Sequence, residues 1–453
     1  MHGDNLNEKV GGILAIRELI NCTSASAESK VIKFAETLSA SLEENKDFNL
    51  IELIAQALGY MARYSPVSHV DYVEAELIRS LGWLRESHSH RRFAGCAVLR
   101  QLAENAPTVF FVRVKEFFDL IWDPLWDSKD TIRFAASKAL SACLAVLSQR
   151  TYHLQWYCGL YDRIHDGFKK GSAESVHGSL LVVSESLKLT GDFMVPRFKE
   201  VCKAIMQFKD HRSRIVKGAI IHLLPSLAQF CPDAFARTHL DEAMDMLLKC
   251  CKSQETKADA LLSTGQLCRA LGPHLVNRVD ELLELVKDAF LSGSKKLRAD
   301  VAAEALQCVA DMVCGLGAPF HDRVLTLLEP MLQCGLTEEL IDTLIIIGKY
   351  IPLQKVVVQQ RLLEEATKIL GGQPKLKLDF SWKRKRKNAA IPKNISGMIK
   401  TQSTTSMLTQ APSLTTLSSY SGNVQKQNAI NFMFPKASTK ETRYYNITIS
   451  IPV

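Results

Sequence analysis

The chain has 453 residues, 47% of them hydrophobic, with a mean hydropathy of −0.01 and a net charge of +8. The longest purely apolar stretches, such as residues 344–348, fall far short of the ~18–20 residues that span a bilayer, so no transmembrane segment is expected. Residues 375–453 hold 13 Lys/Arg against Asp379 and Glu441, a net +11 that leaves residues 1–374 at −3, so no nucleic-acid partner is expected for the body, which lacks the charge for a basic face.

Residues 1–9 are polar and show no apolar secretory core. From there one segment type recurs along the chain. It is plain at residues 8–19, 91–102 and 132–143, and looser copies start near Leu50, Ser175, Ile215 and Lys257. Each has a small residue followed by an apolar one five positions on. Aligned on the small residue, the anchors are Gly11, Ala55, Ala94, Ala135, Gly178, Gly218, Ala260 and Ala302, spaced by 39 to 44 residues. A degenerate ninth copy falls at Thr343. Amphipathic first helices are predicted before the anchors at 31–42, 72–84, 111–122, 157–168, 195–208, 234–250, 275–291 and 319–332, with Asp71 and Asp233 as N-caps of the second and sixth.

A small residue in mid-helix lets a partner helix approach closely. An apolar stripe at i, i+3, i+4 and i+7 must be buried, and one hairpin cannot bury it alone. The period matches the ~40–47 residues of HEAT and armadillo units, and two helices per unit favour HEAT. The expected fold is all-α: a HEAT-repeat solenoid of eight to nine hairpins over residues 1–371, sharing one elongated core.

Gly371-Gly-Gln-Pro374 ends the last predicted helix, 356–370. Residues 401–420 hold 11 Ser/Thr, four Leu or Met and no charge. Such a composition cannot offset its ordering entropy, so 372–453 is expected to be a basic, Ser/Thr-rich, largely disordered tail. The end, residues 444–453, alternates like a strand; a strand with a partner and a translated intron or alternative terminus both fit it. The basic run Lys383, Arg384, Lys385, Arg386 and Lys387 reads as a nuclear-import or acid-binding patch, or as a solvated linker.

The twelve cysteines show no C-x-x-C pair and sit mostly in apolar helical patterns, which predicts buried reduced thiols and no zinc site. Catalytic motifs are missing. Asp379-Phe380 is followed by Ser381, Gly315-Leu-Gly317 lacks the rest of a phosphate loop, and neither G-x-S-x-G nor H-E-x-x-H occurs. His88 and His90 are expected in a solvated turn, and Glu76, Glu104 and Glu185 as solitary solvated charges. No cofactor or catalytic residue is predicted. The aromatic group Phe110, Phe111, Phe117, Trp122 and Trp126 has two readings: an anchor for a protein partner, or filling between repeats.

Residues 9–16, 72–84, 91–103, 126–133, 139–144, 155–157, 177–181 and 347–352, in that order and spacing, resemble the N-terminal HEAT region of the TOR (target of rapamycin) Ser/Thr kinases, over about residues 8–370. The resemblance implies a non-catalytic scaffold of TOR complexes in nutrient and growth signalling, with raptor-like or rictor-like subunits and a second TOR copy as partners. The cysteine pattern and the polar start predict a cytoplasmic location, with endomembranes reached through partners and the nucleus through the basic run. The family's kinase domain lies far C-terminal, and no position here matches its motifs. The chain would thus be a kinase fragment, or a truncated isoform competing for TOR partners.

Overall fold

The computed structural model describes residues 6–20, 27–64, 70–291 and 299–371. Helix α1 (Leu6–Leu19) comes first. Then α2 (Ala27–Glu44) packs on α3 (Phe48–Tyr64), and α4 (Val70–Trp83) on α5 (Ser89–Asn105). Three short helices follow, α6 (Pro107–Val112), α7 (Val114–Leu120) and α8 (Trp122–Leu125), ahead of α9 (Asp130–Ser148). The pattern continues with α10 (His153–Lys170) on α11 (Ala173–Leu189), then α12 (Phe198–Met206) before α13 (Arg214–Phe230). Next come α14 (Pro232–Thr238) and α15 (Leu240–Lys252) before α16 (Lys257–Leu271), and α17 (Val279–Leu291) before α18 (Ala299–Leu316). Last are α19 (Ala318–His321), α20 (Leu328–Leu332), α21 (Glu338–Tyr350) and α22 (Lys355–Leu370).

The expected solenoid is what forms. All nine anchors, Thr343 included, fall on second helices. These stack in register order: α1, α3, α5, α9, α11, α13, α16, α18, α21. One hydrophobic cluster runs through them from Ile13 to Val358. No strand occurs among the described residues. The predicted tail, with Lys383–Lys387, lies outside them.

Several predicted first helices are broken. Pro107 and Pro232 sit at helix starts, where a missing N–H costs nothing, and each starts a short helix that then yields to another. Asp71 and Asp233 are not N-caps; they lie inside first turns, where their charge favours the helix dipole instead. Side-chain caps come from Asp47, which accepts from the N–H groups of Asn49 and Leu50, and from Ser172 and Thr337. Helix α9 is long and apolar enough to cross a membrane by composition, but most of it is buried, packed between α5 and α11.

The close-approach role expected of the small anchors holds at some and fails at others. A Cβ on Gly178 would stand 2.0 Å from the Leu125 carbonyl oxygen, so α11 sits directly on the end of α8. At Gly11 and Gly218 nothing lies within 4 Å of that position. A comparably tight contact lies off the anchor register: a Cβ on Gly315 would stand 2.1 Å from the Cys268 carbonyl oxygen, where α18 crosses α16.

Candidate protein-interaction site

The aromatic group is split by the fold. Phe110, Phe117 and Trp122 are buried, with the Phe110 and Phe117 rings edge to face at 5.2 Å. They fill the space between hairpins and present no surface to a partner, because the breaks between α6, α7 and α8 turn them inward. Phe111 and Trp126 are half-buried. The Arg150 guanidinium lies 4.6 Å from the Phe111 ring centre, and the Lys170 ammonium 3.5 Å from that of Trp126.

Solvent meets the group in an open groove between α7–α8 and α10. Its walls are Phe118 on α7 and Gln155, Trp156, Gly159 and Arg163 on α10, backed by the buried Trp122. The Phe118 and Trp156 rings stand 5.2 Å apart. Nothing lies within 4 Å of a Cβ position on Gly159, so the groove is open there. The Arg163 guanidinium lies 5.4 Å from the Trp122 ring centre and 5.5 Å from that of Trp126, near the indoles that draw its charge. Asp119 lines the same groove. Sequence reasoning missed Trp156 and Arg163. The signal was their spacing with Gly159, three and seven residues on from Trp156, which puts all three on one face of α10.

Away from this groove, charged residues expected in solvent are buried and paired, which corrects that expectation. Glu76 accepts from the Ser39 hydroxyl and from Arg79. Glu185 accepts from Lys138 at 2.9 Å, Lys188 at 3.1 Å and the Ser141 hydroxyl at 2.9 Å. Burial pushes the Glu185 carboxyl up, but the two ammonium groups and the hydroxyl outweigh it and hold it below the usual carboxylate range. Glu104 is exposed. His90 lies in the first turn of α5, not in a loop, and stands 5.5 Å from the His88 ring.

Arg92 and Arg133 form a repeated device. Each sits two residues before an anchor, and its Nη1 donates to two carbonyls of the preceding turn: Glu86 and Ser87, then Asp127 and Ser128. Each Nε reaches the next hairpin, Arg92 to the Asp127 carboxylate at 2.6 Å and Arg133 to His177 Nδ1 at 2.8 Å. Burial, and then the Arg133 charge, push the His177 ring down to about 4. These buried polar groups face packing partners, and no metal-holding cluster occurs among the described residues.

No protein-family model matches the chain. In sequence it is 33% identical over 369 residues to the Ser/Thr-protein kinase TOR of Oryza sativa subsp. japonica, covering 80% of this chain and 15% of that protein. It is 28% identical over 439 residues to TOR2 of Saccharomyces cerevisiae, covering 91% of this chain and 18% of that protein. Among solved structures the fold is similar to Kap121p bound to Ste12p, with TM-score 0.54 at 13% identity, covering 82% of this chain and 39% of that one. It is also similar to Kap121p bound to Pho4p, with TM-score 0.54 at 14% identity over 80% and 42%. The chain spans about 15% of the length of the first curated relatives it matches. By its sequence, therefore, the chain belongs with the TOR Ser/Thr kinases, matching a small N-terminal part of them and not their kinase domain.

Proposed function

We propose that this chain is a non-catalytic scaffold of TOR complexes in nutrient and growth signalling, acting in the cytoplasm by holding raptor-like or rictor-like subunits. The observation that carries the reading is the groove between α7–α8 and α10. Aromatic walls beside a guanidinium supply the apolar anchor and polar rim that protein partners use. A pull-down of the purified chain with raptor-like and rictor-like proteins tests it. The wild-type chain is expected to retain one of them, and Trp156→Ala with Arg163→Ala to lose it while circular dichroism stays unchanged. Retention by the double variant equal to wild type would remove the groove from the reading. Titration of the chain with ATP is expected to give no specific binding, and a measurable affinity would overturn its non-catalytic part.

A further inference from the structure

We propose that the cavity between the α12–α13 turn and the α15–α16 turn binds a phosphorylated polyol. It holds about 360 Å³, near the small end of ligand-sized pockets. Five basic side chains line it, Lys209, Arg212, Arg214, Lys217 and Lys249, together with four carboxylates, Asp210, Glu242, Asp245 and Glu255. Two of those carboxylates already have cations: Glu242 accepts from Lys209, and Asp245 lies 4.0 Å from the Arg278 guanidinium. Among the described residues no carboxylate oxygen lies within 4.0 Å of an Arg212, Lys217 or Lys249 nitrogen. Arg214 donates to the Glu255 carbonyl, which carries no charge to offset its own. Four cations thus stand against Asp210 and Glu255, an excess that a phosphate monoester offsets with its charge of about −1.5 to −2 at neutral pH.

The charges converge across the cavity. Burial pushes the Cys250 thiol up. The Thr256 hydroxyl, Lys217 and Lys249 draw it back, and Asp210 reinforces the rise, so groups from α13, α15 and both turns bear on one point. Helices α13 and α16 start at the cavity, and neither has a side-chain N-cap, so the positive ends of two helix dipoles add to the field. The rest of the lining sets what the phosphate is attached to. No aromatic side chain lines the cavity, so a nucleobase would find nothing to stack on. Asp210 and Glu255 accept from hydroxyls, and the Ser253 hydroxyl in the same lining donates or accepts. A polyol supplies those hydroxyls, whereas bare phosphate would set its own charge against both carboxylates. A free sugar phosphate and the inositol phosphate headgroup of a lipid share this chemistry.

None of these residues lines the groove of α7, α8 and α10. Calorimetry of the full 453-residue chain with glucose 6-phosphate, glucose and inorganic phosphate tests the site. Flotation on phosphatidylcholine vesicles carrying phosphatidylinositol 4-phosphate, or phosphatidylserine at matched charge, separates a lipid headgroup from a soluble ester. Saturable binding of glucose 6-phosphate, about tenfold or more tighter than glucose or inorganic phosphate, is expected. Flotation that needs phosphatidylinositol 4-phosphate, without binding of glucose 6-phosphate, would assign the headgroup as the ligand. In either case Arg212→Gln with Lys249→Met, both at exposed positions, is expected to weaken binding about tenfold with circular dichroism unchanged. Asp210→Asn with Glu255→Gln is expected to narrow the preference for glucose 6-phosphate over inorganic phosphate, a shift that loss of fold would not produce. Absence of binding in both arms, an Arg212 and Lys249 double variant that binds as wild type, or inorganic phosphate bound as tightly as glucose 6-phosphate would each overturn the proposal. So would equal flotation on phosphatidylserine without binding of glucose 6-phosphate.

Discussion

At Arg133 a full positive charge is held 2% exposed, and what its removal would cost follows from the groups left behind. Arg133→Met strands the Asp127 carbonyl and His177 Nδ1, each a buried acceptor worth ~1–3 kcal/mol when unpaired, while the Ser128 carbonyl, on an exposed residue, turns to water. A loss of about 3 kcal/mol in urea unfolding is expected, allowing for partial rehydration. Its partner His177 gives the fold a pH dependence of known sign. The unfolded ring takes a proton as pH falls through 6.5, while the folded ring, near 4, does not. This contribution to stability is therefore complete above pH 6.5 and is lost progressively down to about 4. His177→Gln, which keeps an acceptor and cannot titrate, is expected to flatten the fall in Tm over that window. The anchors give a paired test. Gly178→Ala drives a methyl into the Leu125 carbonyl and is expected to cost about 1–3 kcal/mol. Gly218→Ala meets open space in mid-helix and is expected to stabilise by up to about 1 kcal/mol. Sequence alone made these two anchors look alike.

Between elements, the hairpins are tied by polar contacts about one repeat apart in sequence. Arg79 reaches Glu43, Arg113 reaches Glu74, Arg269 reaches Asp311 and Arg323 reaches Asp280. Most involve an exposed partner and contribute little singly. Glu185 differs because its carboxylate is buried between α9 and α11 and receives Lys138 from one helix and Lys188 from the other. Glu185→Gln keeps an acceptor for Ser141 and loses both charge-assisted bonds. Both lysines are half-exposed, so a cost of about 1 kcal/mol is expected, shrinking in high salt, measured as the urea midpoint against ionic strength. The i, i+3 rule finds Lys188 for Glu185, as it finds Arg79 for Glu76, but it cannot find Lys138. Lys138 and Glu185 are 47 residues apart, and only stacked repeats bring them together. What local spacing could not show was the burial of Glu76 and Glu185 and the hydroxyls they accept from on neighbouring helices, Ser39 and Ser141.

Over the whole of the described residues, each second helix packs chiefly on the one before and the one after, so stability is expected to behave as a sum of neighbour terms. Gly178→Ala should therefore speed amide exchange around α9 to α13 and leave α18 and α21 unchanged. Uniform acceleration along the chain would contradict that nearest-neighbour picture. What the sequence determined by itself was the period, the helical class and the register of the second helices. Those follow from apolar spacing and small residues, which act within a single helix pair. The tertiary structure alone decided which aromatics face inward, which carboxylates are buried and which anchors are crowded. Each of these depends on what a hairpin about 41 residues away places opposite a side chain, and no local pattern carries that information.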